Sequence, residues 1–117
     1  MSTLNVSNIS DGTDTVETGY VVNGSAKAWV NFNGLGTISI NDSFNISSAT
    51  DNGTGNYDVT FSNSFSSVSY SPAYTSDNFA RYSSIQSAST FRHLSLNNSF
   101  AASDAGKIMS QHFGDLA

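Results

Sequence analysis

Alternation between residues 26 and 63 limits what this chain can fold into more firmly than any other feature. The segment AKAWVNFNG, read as a strand, puts Ala26, Ala28, Val30 and Phe32 on one face and Lys27, Trp29, Asn31 and Asn33 on the other. LGTISINDSFNIS follows, with Ile38, Ile40, Phe44 and Ile46 on a single period-2 face. NYDVTFS then sets Tyr57, Val59 and Phe61 inward against Asn56, Asp58, Thr60 and Ser62 outward. The intervening ATDNGTGN is rich in turn formers, and Asn52-Gly53 suits a tight turn. Three alternating runs joined this way predict an antiparallel meander with one solvated face. Its expected core is Val30, Phe32, Ile38, Ile40, Phe44, Tyr57, Val59 and Phe61.

Composition points the same way. The chain holds 23 Ser, 13 Asn and 10 Thr, and only 11% of it is charged, against about 25% in an ordinary domain. Hydroxyl and amide side chains compete for backbone hydrogen bonds, so a chain this rich in them disfavours helix interiors. Its 117 residues suffice for one domain with a real core. The expectation is an all-β fold, an antiparallel, jelly-roll-like β-sandwich over residues 26–117, preceded by an extended N-terminal arm over residues 1–25. In the arm Leu4, Val6, Ile9, Val16 and Tyr20 to Val22 are too sparse for a self-sufficient strand pair, so it is expected to borrow its partners. Further on, SSVSYSPAYTSDNFARYSS carries three Tyr and Pro72 without strong alternation and reads as a long loop flanked by strand. TFRHLSLN reads as a strand with Arg92, Leu94 and Leu96 on one side and Phe91 and His93 on the other. A last strand is expected from Lys107 to Phe113, ending at Gly114.

Several function classes find no support. Net charge is −5, and Lys27, Arg81, Arg92 and Lys107 are the only basic side chains besides two His; four scattered cations cannot neutralise a run of phosphates, so no nucleic-acid partner is expected. There is no Cys. MSTLNVSNIS lacks the basic and apolar stretches of a signal peptide, and no run approaches the roughly 18 apolar residues of a membrane span. Synthesis in a cytoplasm without membrane insertion is the expectation. His93 and His112 stand nineteen residues apart with no acid at ligand spacing, so no metal and no cofactor are expected. Neither Asp11, Asp14 and Glu17 nor Asp51 and Asp58 match a calcium-loop spacing. The many Ser and two His could nominally pair as nucleophile and base. No G-x-S-x-G elbow accompanies them, and no catalytic residue is expected.

Trp29 raises a different question. It is the only Trp and falls on the outward face of its strand between a lysine and asparagines. Trp is enriched at interfaces and their energetic centres, and Asn can satisfy polar groups at a seam without the desolvation cost of a charge. Trp29, Asn31 and Asn33 are therefore the candidate subunit interface.

The whole block AKAWVNFNG-LGTISINDSFNISSATDNGTGNYDVTFS resembles small tail-fibre-like structural proteins of tailed, marine-type bacteriophages and prophages. In these a KAWVNFNG motif, a strand ending in SFNVSS and a TDNGTGDYTVNF segment follow one another. MSTLNVSNISDG is similar to their usual start and FGDLA to their usual end, whereas residues 64–107 depart freely. The resemblance implies a virion structural protein built of strands, often a homotrimer, assembled in the host cytoplasm with other virion proteins. A tail fibre or tail appendage presenting a surface to a host cell receptor is the leading expectation, and a capsid decoration protein stabilising the head shell is the alternative. In that setting Tyr70, Tyr74 and Tyr82 form the candidate recognition loop, since Tyr supplies amphipathic contact area at small entropic cost.

Overall fold

A computed structural model describes residues 1–80, 84–85 and 87–117. The chain enters through a hairpin of two three-residue strands, β1 (Asn8–Ser10) and β2 (Thr15–Glu17), and a short helix, α1 (Thr18–Gly24). It then builds β3 (Ala28–Asn33), β4 (Ser39–Phe44), β5 (Ile46–Asp51), β6 (Asn56–Phe61), β7 (Ser71–Ser76), β8 (Phe79–Ala80), β9 (Ser84–Ile85), β10 (Thr90–Leu96) and β11 (Ile108–Phe113). One sheet runs β4-β3-β11-β7; the second runs β5-β6-β10-β8, with β9 also on β10, and every pairing is antiparallel. The fold is all-β and sandwich-like, as the alternation requires.

Inward residues of both sheets meet in a single core. Ala28, Val30 and Phe32 of β3 and Ile108 of β11 face Tyr57, Val59 and Phe61 of β6 and Phe91 of β10, all buried, with Phe65, Tyr70 and Ala105 closing the ends. Most aromatic pairs of the core meet edge to face, among them Phe32 and Tyr57 at 5.6 Å and Phe61 and Phe65 at 5.0 Å. Such pairs add to the area term of burial. Two glycines of the central block have a direct reason. A Cβ on Gly34 would lie 2.5 Å from the Tyr57 ring, whose hydroxyl donates to the Gly34 carbonyl. Gly55 has φ +66°, and a Cβ there would strike the Ser95 carbonyl at 2.4 Å. The Gly55 amide and the Tyr57 hydroxyl both donate to Asp104, at 2.8 Å each, which ties this end of the sandwich together.

The structure corrects the sequence reading in four places. LGTISINDSFNIS is not one strand: Asn45, at φ +59°, turns a corner between β4 in one sheet and β5 in the other, so the meander is split across the sandwich. The Asn45 side chain secures that corner by donating to the Lys27 and Asn63 carbonyls and accepting from the Asn63 amide. A bulge at Asn41 shifts the β3–β4 register, so Phe32 pairs with Ile40 but Asn31 with Asp42 and Trp29 with Phe44. One inserted residue reverses the side to which all later side chains point. Phe44, expected inside, is therefore outside and 55% exposed, while Ile40 is partly exposed on an edge strand. Residues 71–76 are a strand, not a loop. Finally, the arm does contain a strand pair, with Ile9 opposite Val16, although none of its side chains is buried.

Candidate functional site

Trp29 stands where the alternation puts it. β3 buries Ala28, Val30 and Phe32 and turns Trp29, Asn31 and Asn33 to the outer face of its sheet, with Trp29 36% exposed. The registers align Phe44, Trp29, Gln111 and Ala73 in one row across the four strands, and Asp42, Asn31, Met109 and Thr75 in the next. Asp42 is the one charged side chain in these rows, and Phe44, Trp29 and Met109 all show substantial apolar surface. The opposite outer face is built differently: Arg92 on β10 lies across from Asp58 on β6 and grips it through two hydrogen bonds of 2.7 Å. That guanidinium holds the Asp58 carboxyl below its usual range. One face is dressed for water, and the other carries rings and amides. Asn31 accepts a hydrogen bond from Asn41 of the bulge, while Asn33 accepts from the Leu35 amide and shapes the turn after β3. Asn33 therefore has a local task of its own.

The tyrosines are placed otherwise than a recognition loop requires. Tyr70 is buried, stacked on Phe65 at 4.5 Å, with its hydroxyl donating to the Ser87 and Thr90 carbonyls. Tyr74 points inward from β7, meets His93 edge-on at 4.9 Å and donates to the Leu94 carbonyl. Burial pushes both phenols up, Tyr70 to about 12. These side chains fasten one sheet to the other and cannot also be presented to a receptor. Tyr82 lies outside the described residues.

A group not assembled by the sequence reading sits in the middle of the core. His93 Nε2 lies 2.8 Å from Ser110 Oγ, and His112 Nε2 lies 2.9 Å from the same oxygen. The contact to His93 crosses between the sheets. A Ser hydroxyl has one proton, so it donates to one imidazole and accepts from the other, which makes the two rings opposite tautomers. The composition resembles a nucleophile with its base, but the setting does not. All three residues are buried, and among the described residues neither Nδ1 atom has a hydrogen-bond partner and no carboxylate orients either ring. Ser110 is buried and its hydroxyl is engaged by both imidazoles, so the trio ties one sheet to the other. Burial, assisted by His112, drives His93 down to about 3, and burial drives His112 to about 4. Alternation along IMSQHF, which turns Ile108, Ser110 and His112 to one side, was the available signal.

Among the described residues no group of three or more His, Cys, Asp or Glu is arranged to hold a metal ion, and no helix is long and apolar enough to cross a membrane. A trough of about 350 Å³ between Asn23 and residues 66–71 and 113–115 is open, and its Asn, Ser and Asp side chains are exposed rather than convergent. Compared with family models, with curated proteins and with solved structures, the chain matches none.

Proposed function

We propose that this chain is a bacteriophage virion structural protein, a component of a tail fibre or tail appendage, acting by assembly and not by catalysis. The observation that carries the reading is the outer face of the β4-β3-β11-β7 sheet, where Phe44, Trp29 and Met109 lie exposed in two rows containing no cation and one anion. Monomeric proteins seldom leave such surface wet, and patches of this kind mark interaction sites. A second protomer covers it, most simply in a homotrimer, with Asn31 at the seam. Three of the four sheet edges are poor alternatives: β7 carries Pro72, β4 and β5 are bulged, and each of these devices discourages edge pairing. The likeness of residues 26–63 to tail-fibre-like proteins supports the same reading.

A capsid decoration protein is the second reading, favoured by the arm, whose apolar side chains are all exposed and suited to clamping a neighbouring subunit. Counting copies per particle separates the two: several hundred belong to a head shell, a few dozen or fewer to a tail. Trp29→Ala tests the interface itself. Light scattering should show the oligomer dissociating while the far-ultraviolet β signal survives. An oligomer of unchanged mass would remove this face from the assembly.

A further inference from the structure

The end of the sandwich farthest from the arm carries a strained and exposed aromatic residue. The arm joins where β3 begins, beside His112 and Pro72, whereas Ile108, Phe32 and Ser76 mark the opposite end. There β10 leads into a tight loop, closed by a bridge between Leu96 and Ala102 and by the Phe100 amide donating to the Asn97 carbonyl at 3.0 Å. Phe100 takes the left-handed conformation, φ +59°. This is the position at which such hairpin loops favour Gly, and a bulky residue there is an outlier. Its ring gains nothing from the core in return, being 77% exposed. Phe79, on β8 opposite Leu96, is 55% exposed, and the two rings lie 6.2 Å apart at 34°. Strain and exposure together, offset only by this one ring pair at the surface, are what a binding position shows.

Beside the Phe79 ring, which Phe100 flanks at 6.2 Å, is a hollow of about 390 Å³ lined by Asp77, Asn78, Phe79, Asn97 and Asn98. Part of this polar equipment is committed to the fold: Asn78 Nδ2 donates to the Asp104 carbonyl, and Asn97 Oδ1 accepts from the Ser99 and Ala101 amides. Asp77 and Asn98 are exposed, and Asn78 Oδ1 and Asn97 Nδ2 have no other hydrogen bond among the described residues. Among the described residues no Lys or Arg lines the hollow, and the Asp77 carboxylate in its wall disfavours an anionic ligand. Two rings contribute at most about 300–500 Å², well under the roughly 800 Å² per partner of a stable protein interface, while the volume lies in the range of small-molecule sites.

We infer that Phe100 and Phe79, with Asp77 and Asn98, form a binding site for a neutral saccharide of one or two units. The rings take its C–H faces, and the carboxylate and amides take its hydroxyls. The site is defined by the loop itself, whatever the particle position of the chain. The test is saturation-transfer NMR on the full chain with glucose, galactose, N-acetylglucosamine and their disaccharides, repeated on Phe100→Gly. Gly is suited to this backbone, so the variant should melt at or above the parent's temperature while its saccharide signal falls at least tenfold. Absence of transfer from every sugar overturns the site, as does equal transfer in the variant. A lower melting temperature in Phe100→Gly would make the ring a structural element instead. A fall in oligomer mass on that substitution would assign the platform to a second copy. None of these outcomes depends on the copy number or Trp29 experiments, so this site and the virion reading can fail separately.

Discussion

The sandwich and the arm are made from the same kind of sequence, rich in Ser, Thr and Asn with scattered β-branched residues, yet they differ in whether any strand has an inside. In the sandwich, β3, β6, β10 and β11 each bury three or more side chains of a single alternating face. In residues 1–25 only Thr18 is even half-covered, and Leu4, Val6, Ile9, Val16 and Tyr20 to Val22 are all exposed. The arm keeps its shape by local polar means: Asp11 accepts from the Thr13 and Asp14 amides in the hairpin turn, and Thr18 donates to the Val6 and Ser7 carbonyls. A two-stranded ribbon and a seven-residue helix are marginal in water on such bonds alone. Hydrogen bonds shape a segment, but burial is what holds it.

The sharpest way to break the comparison is to remove burial where it is densest. Phe32 is fully buried and meets both Tyr57 and His93 edge-on. Phe32→Ala should cost about 3–5 kcal/mol, read as a lower denaturant midpoint. A loss under 1 kcal/mol would mean that the core closes around the gap or was never tight.

The next effect comes from the core histidines. Both are held neutral in the fold, His93 at about 3 and His112 at about 4, against 6.5 when unfolded. Below pH 6.5 the unfolded chain therefore binds protons that the folded chain refuses. Stability is full above pH 6.5 and falls as pH drops towards 4, by about 1.4 kcal/mol per pH unit for each histidine so affected. Asp58, lowered by Arg92, adds a loss in the same direction only at more acid pH. Urea midpoints between pH 7.5 and 4.5 should show the slope, and replacing either histidine by Gln should flatten it. A level profile across that range would mean that the imidazoles are protonated inside the native fold.

The legibility of this molecule follows the same division. Where alternation persisted, it placed Val30, Phe32, Tyr57, Val59 and Phe61 in the core and Trp29 outside it. It failed at Phe44 because the Asn41 bulge is a backbone event with no hydrophobic signature, and at Tyr70 and Tyr74 because exposure was inferred from residue type. Asn45, which turns the chain from one sheet to the other, looked like one more polar residue in a polar strand. Alternation sets Ser110 and His112 on one inward face, but the His93–Ser110 contact joins two sheets, and no single-strand pattern can reveal that. Phe100 was invisible for a related reason: a side chain's cost depends on its φ, which the sequence does not print.

The smallest expected effect, on the sandwich, is that of deleting the arm. Among the described residues, the hydrogen bonds between residues 1–25 and the rest run from the Lys27 ammonium to the Val22 and Ser25 carbonyls, at the point where the arm joins. Nothing in the core is contributed by the arm. Removing residues 1–24 should therefore shift the sandwich's unfolding by no more than about 0.5 kcal/mol, as for surface changes in general. Limited proteolysis of the isolated chain should clip the same segment first, because a cut there exposes no buried backbone. The informative comparison is with the proposed assembly, in which a partner would supply the arm's apolar residues with the surface that its own sandwich does not. Protection there and cleavage in the free protomer would identify the arm as the attachment element. A truncated chain that melts several degrees lower while still monomeric would instead show that the arm packs on its own sandwich, and the contrast between the two regions would then disappear.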